Sequence, residues 1–171
     1  MSSDVIASED NGAAPPFMYL HYLVHGSENP PFPVYLIQLQ GPIDVQTVQK
    51  AVQKIIANKI SPINEGNAPV EWRTASYMVF VLNGAGAKLN DIDFKFQGVG
   101  PNKTFYDKVD LGTFDTCSAV CYTNRRLNQQ GDPLGINERE LYKWKAIHSM
   151  RSKALPESIE THTSSGTNVG P

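Results

Sequence analysis

The side chains able to do chemistry in this chain come in small groups, each short of a complete site. His21 and His25 stand four apart in FMYLHYLVH, and on an extended strand that spacing puts both imidazoles on one face. No third ligand type is clustered beside them, so they read as packed or exposed histidines rather than a metal pair. Asp91 and Asp93 alternate with Ile92 and Phe94 in DIDFKF. Paired carboxylates serve acid–base work or hold a cation, but beside Lys95 on alternate positions they read as the wet side of a strand. Cys117 and Cys121 are four residues apart, ~13 Å on a strand, which is beyond disulfide reach, so both read as reduced core thiols. Gly84-Ala85-Gly86 follows an apolar run without the third glycine or the Gly-Lys-Ser/Thr of a phosphate loop, and reads as a tight turn. His148 has no Ser, Cys or Asp motif to join it. There is no Gly-x-Ser-x-Gly, His-Glu-x-x-His or Cys-x-x-Cys. The expectation is a protein with no catalytic residue, no metal ligand and no cofactor.

What remains is binding chemistry. Pro15-Pro16 followed by Tyr19 is similar to the short recruitment peptide Pro-Pro-x-Tyr, with one residue too many between. Pro30, Pro31 and Pro33 favour an extended polyproline path, suited to an aromatic groove on a partner or to a stiff connection. Charge is segregated along the chain. Residues 1–33 hold Asp4, Glu9, Asp10 and Glu28 and no Lys or Arg, a local charge of −4. Residues 125–153 hold Arg125, Arg126, Arg139, Lys143, Lys145, Arg151 and Lys153 against Asp132, Glu138 and Glu140, a local charge of +4. The candidates for self-association or partner binding are therefore Pro15, Pro16, Tyr19, Pro30, Pro31, Arg125, Arg126, Lys143, Lys145, Arg151 and Lys153. The formal net charge of −2 gives no general attraction to nucleic acid, and no sequence-specific nucleic-acid binding is expected.

The elements that must position these groups follow from periodicity. The 171 residues suit one domain, expected over 17–155, with a flexible acidic arm over 1–16 and a polar C-terminal tail over 156–171. Phe17 to Val24 reads as a strand, and VYLIQL (34–39) as an interior one. Gly41-Pro42 turns the chain, and Asp44 is placed to cap a helix whose stripe is Val45, Val48, Val52, Ile55 and Ile56. Gln46, Gln49, Lys50, Gln53 and Lys54 face the other way, and Ser61-Pro62 is the expected stop. YMVFVL (77–82) reads as a central strand, DIDFKF (91–96) as a half-buried one and TFDTCSAVCYT (113–123) as a further sheet run. Asn137 with Glu140 three residues on has the capping-box pattern of a last helix, with Leu141, Trp144, Ile147 and Met150 on its apolar edge. The expected fold class is α+β: a mainly antiparallel or mixed sheet of about five strands against two main helices, with flexible N- and C-terminal arms. No apolar run reaches the ~18 residues of a membrane span, and MSSDVIASEDNG lacks a secretory pattern, so a cytoplasmic location is expected.

The order VYLIQL, Asp44 helix, YMVFVL, TFDTCSAVCYT and helix from Asn137 resembles the folded domain of rhabdovirus matrix proteins, particularly those of plant-infecting members. The arm here is acidic where that family's is commonly basic. The resemblance implies a non-enzymatic, self-assembling structural protein of matrix type that coats and condenses a nucleocapsid beneath an envelope. It would act in the virion and host cytoplasm, as a homo-oligomer through its terminal arms, with nucleoprotein and a membrane surface as further partners. The alternative is a monomeric cytosolic α+β module for protein interaction or ligand binding.

Overall fold

β-Branched and aromatic runs dominate the secondary structure. The computed structural model describes residues 16–25, 32–64, 70–72, 76–84, 87–96, 99–101, 105–125, 127–128, 130–150 and 158–170. Among them are β1 (Phe17–Val24), β2 (Val34–Gln38), α1 (Val45–Ile56), β3 (Val70–Trp72), β4 (Ser76–Asn83) and β5 (Ala87–Phe96). β6 (Val99–Pro101), β7 (Phe105–Phe114), β8 (Cys117–Asn124), β9 (Arg139–Met150) and β10 (Ser158–Val169) follow. The first sheet has the order β2-β1-β4-β8-β7, with β1 and β4 parallel and its other neighbours antiparallel. The second has the order β3-β10-β9-β5-β6, with only β3 and β10 parallel.

Strand alternation sorts the first sheet's side chains onto two cores. On β4, Met78, Phe80 and Leu82 face the second sheet, while Val79 and Val81 face α1. All five are at most 1% exposed, which is why YMVFVL carries no polar residue: both of its faces are covered. β8 divides likewise, Val120 and Tyr122 lying between the sheets and Cys117, Ala119 and Cys121 under the helix. The second sheet contributes Ile92, Trp144 and Ala146, and the Phe80 and Trp144 rings meet edge to face at 5.1 Å. The result is three layers: helix, sheet, sheet. A polar contact between described residues also joins the sheets. Asn124 Nδ2 donates to Asn168 Oδ1 at 2.9 Å and Asn168 Nδ2 donates back at 3.3 Å, both residues being fully buried.

The capped helix forms where its sequence places it. Asp44 is extended, and its Oδ1 accepts from the Thr47 backbone N–H and from Thr47 Oγ1, each at 2.8 Å. The buried stripe is Val48, Ala51 and Val52, whereas Ile56 is 65% exposed. The helix stops at Ile56, before Ser61-Pro62, as Asn58 enters the left-handed region at φ 58°.

The α+β expectation with two main helices does not hold: the fold is mostly β with a single helix among the described residues. The segment expected to be the last helix is β9. Asn137 cannot cap a helix there, because its φ of 62° is left-handed where an N-cap is extended. Leu141, Trp144 and Ile147 satisfy a helical period by coincidence. The period that governs is two, with Trp144 and Ala146 buried and Lys143 and Lys145 exposed. The tail expected from 156 onward holds β10, which pairs with β9 along all twelve of its residues. Its end is anchored, since Gly170 N donates to Glu138 O at 2.8 Å. A Cβ on Gly170 would overlap the Gly135 carbonyl. No helix among the described residues is long and apolar enough to cross a membrane.

Candidate functional site

A concavity lined by described residues lies along the outer edge of β2, beneath α1. β2 ends the first sheet, and its pairing with β1 is bracketed by Tyr22 N donating to Pro33 O and Leu39 N donating to Pro16 O. In an antiparallel pair these bonds fall on alternate residues, so Pro33, Tyr35, Ile37 and Leu39 face β1. Val34, Leu36 and Gln38 therefore turn their backbone N–H and C=O groups outward. Val34 is satisfied locally, its N–H donating to Asn64 Oδ1 and its carbonyl accepting from Ile63 N, both at 2.8 Å. Asn64 is fixed in turn by donating to Phe32 O at 2.9 Å. Beyond it, the outward groups of Leu36 and Gln38 meet no described strand.

That open edge forms one wall of a cleft of about 630 Å³. The facing wall is α1, where Thr47, Lys50, Ala51 and Lys54 line up at helical spacing. Gln40, Gly41 and Pro42 close one end, and Ile60 adds apolar surface. Lys50 and Lys54 are exposed and make the helix wall basic. Asp44 also reaches the cleft, but its carboxylate is held by Thr47. The Thr47 backbone and hydroxyl hydrogen bonds, the backbone bond foremost, keep it charged by lowering its pKa below the ordinary carboxylate value. An open pair of strand groups beside a basic, partly apolar wall is equipped to hold an extended chain.

Of the residues singled out for chemistry, those with described side chains lie away from this cleft. His21 is 1% exposed, stacked on Phe80 at 4.3 Å and set edge-on to Trp144 at 5.6 Å. Its Nδ1 donates to the Val79 carbonyl at 3.2 Å, and burial pulls its pKa down to about 4, so it is neutral. His25 lies past the end of β1, its N–H donating to Asn83 O. Cys117 and Cys121 are free, buried thiols facing α1; burial raises both, Cys121 to about 12. Gly84 links β4 to β5, two strands, so no helix N-terminus follows it. Asp93 stands opposite Lys145 in the β5–β9 register, and His148 opposite Leu89. Among the described residues no three His, Cys, Asp or Glu side chains gather.

Among the described residues, the expected binding residues do not form one patch. Tyr19 is buried between the sheets, so its ring is core rather than part of a recruitment peptide. Pro16 is exposed where the chain enters β1. Lys143 and Lys145 are exposed on β9, a strand and not a helix, and Arg125 is exposed just after β8. Pro15, Pro30, Pro31, Arg126, Arg151 and Lys153 lie outside the described residues. The cleft itself went unrecognised in the sequence. Its signal was the polar side of α1, where Lys50 and Lys54 read as a solvated face; nothing local shows that a sheet edge lies against it. None of the protein-family models, curated proteins or solved structures compared with this chain matches it.

Proposed function

We propose that this chain is a non-enzymatic protein-interaction module that captures an extended polypeptide as an added strand on β2, in the cleft beneath α1. The observation that carries the reading is the pair of outward backbone groups on Leu36 and Gln38, open beside a cleft lined by Lys50 and Lys54. Main-chain hydrogen bonds to such an edge supply affinity, and the alternating side-chain pockets supply selectivity. Matrix-type self-assembly is the second reading, because another copy can also fill an open edge. It is the weaker one: the helix from Asn137 that entered the resemblance is β9. The opposite edge strand, β7, also carries two register shifts, which blunt an edge against propagating pairing.

Panning a random peptide library against the chain should enrich extended sequences whose binding is lost in Gln38→Pro. That substitution removes an outward donor and leaves the bonds to β1 in place. Binders indifferent to Gln38→Pro, or no enrichment at all, would overturn the reading.

A further inference from the structure

We infer that the cleft is built for one class of ligand: a short extended segment that carries two carboxylate side chains at alternate positions, i and i+2. The inference rests on the strand-addition reading above and adds which peptides that site prefers. Backbone groups set the length. Val34 is closed off by Asn64 and Ile63, and at the other end the chain turns away through Gly41-Pro42, where Pro42 has no N–H to offer. Leu36 and Gln38 are the outward residues of β2 between these stops. They present two N–H and two C=O groups, enough to fix about five residues of an added strand.

Alternation sets which side chains are read. Tyr35, Ile37 and Leu39 turn towards α1, packing in the core beneath that helix. In a strand added beside them, the residues opposite these three share the helix side, and those opposite Leu36 and Gln38 point the other way. Every second side chain of the ligand therefore faces the helix wall.

Charge sets what those side chains must be. α1 returns along β2: its Asp44 cap follows the Gly41-Pro42 turn, and the loop after it is tied to the first residue of β2 by Ile63 N donating to Val34 O. The lysine row consequently runs along the open edge. Lys50 and Lys54 are exposed and four residues apart, ~6 Å along the helix axis, while alternate residues of a strand stand ~6.6 Å apart. Two carboxylates at i and i+2 thus match the two ammonium groups, well within the reach of flexible lysine stems. Asp44 adds a negative charge at the Thr47 end, where its bonds to Thr47 keep it ionised, so the ligand's carboxylates belong beside Lys50 and Lys54 rather than beyond them. Lys143 and Lys145 cannot serve the same ligand, because β9 is paired on both sides and has no edge for a strand to join.

Fluorescence anisotropy with labelled heptapeptides and the full chain tests this. Thr-Val-Asp-Val-Asp-Val-Thr places both acids on one face, and its Asn and Lys counterparts remove or reverse the charge. Thr-Val-Asp-Asp-Val-Val-Thr divides the acids between the two faces. At low salt the alternating acidic peptide should bind roughly fivefold or more tighter than the other three, a margin that shrinks as salt is raised. Lys50→Gln/Lys54→Gln should remove the margin. Lys50→Glu/Lys54→Glu should favour the Lys counterpart instead, which also shows that the variant is folded. Equal affinity for the Asp and Asn peptides, lost in Gln38→Pro, would overturn the inference and leave strand addition standing. So would equal affinity for alternating and adjacent acids. Acidic-peptide binding that survives Gln38→Pro would overturn both readings, reducing the contact to charge attraction at α1. Affinity that weakens as protein concentration rises would assign the edge to a second copy and overturn the inference, as would the absence of binding by every peptide.

Discussion

His21 shows how burial turns a reactive side chain into a structural one. Its ring packs against both Phe80 and Trp144, which also touch each other, and its Nδ1–H is taken by the Val79 carbonyl. Loss of hydration holds its folded pKa at about 4, against 6.5 for an ordinary histidine. The unfolded chain therefore takes up the proton first as pH falls. The histidine costs nothing above pH 6.5, erodes stability from there down to about 4 and adds no more below that. Over the window the loss amounts to about 3 kcal/mol. Urea unfolding across this range should show that decline in the wild type and a shallower one in His21→Leu, which cannot protonate. Parallel curves for the two proteins would mean that the acid sensitivity lies in other groups.

Among the elements, legibility followed the distance over which each is specified. β1, α1 and β4 were readable because local pattern and capping decide them: the aromatic run of FMYLHYLV, the Asp44 cap and the unbroken YMVFVL. β9 was not, because Leu141, Trp144 and Ile147 fit a helix as well as Trp144 and Ala146 fit a strand. The tie is broken by a partner far along the chain. That partner is β10, whose THTSSGTN is too polar to announce a core element yet stands between β3 and β9. The cleft was illegible for a related reason, since an edge is a property of the sheet and not of VYLIQ. Ending the chain at residue 155 tests the role of β10. A dispensable tail would leave the unfolding transition intact. Loss of β10 instead strips β9 of one neighbour and Asn124 of its amide partner, so the shortened protein should lose cooperative unfolding by circular dichroism.

At the scale of the molecule, the first sheet is shared between two cores, which ties their stabilities together. Met18 lies on the α1 side and Phe80 on the inter-sheet side, both fully buried. Truncation to alanine should cost about 2–5 kcal/mol for Met18 and about 3–5 kcal/mol for Phe80. If the layers fold as one unit, each substitution moves the whole transition, including parts of the molecule that its side chain never touches. Trp144 supplies the reporter, because it is buried between the sheets, on the far side of the first sheet from Met18. With Trp72 replaced by Phe so that Trp144 alone emits, its fluorescence midpoint should fall together with the far-ultraviolet dichroism midpoint in Met18→Ala. A dichroism curve that shifts while Trp144 holds its midpoint would mean that helix and first sheet part before the sandwich opens. Coincident curves would make the β2 edge and its cleft as durable as the core behind them.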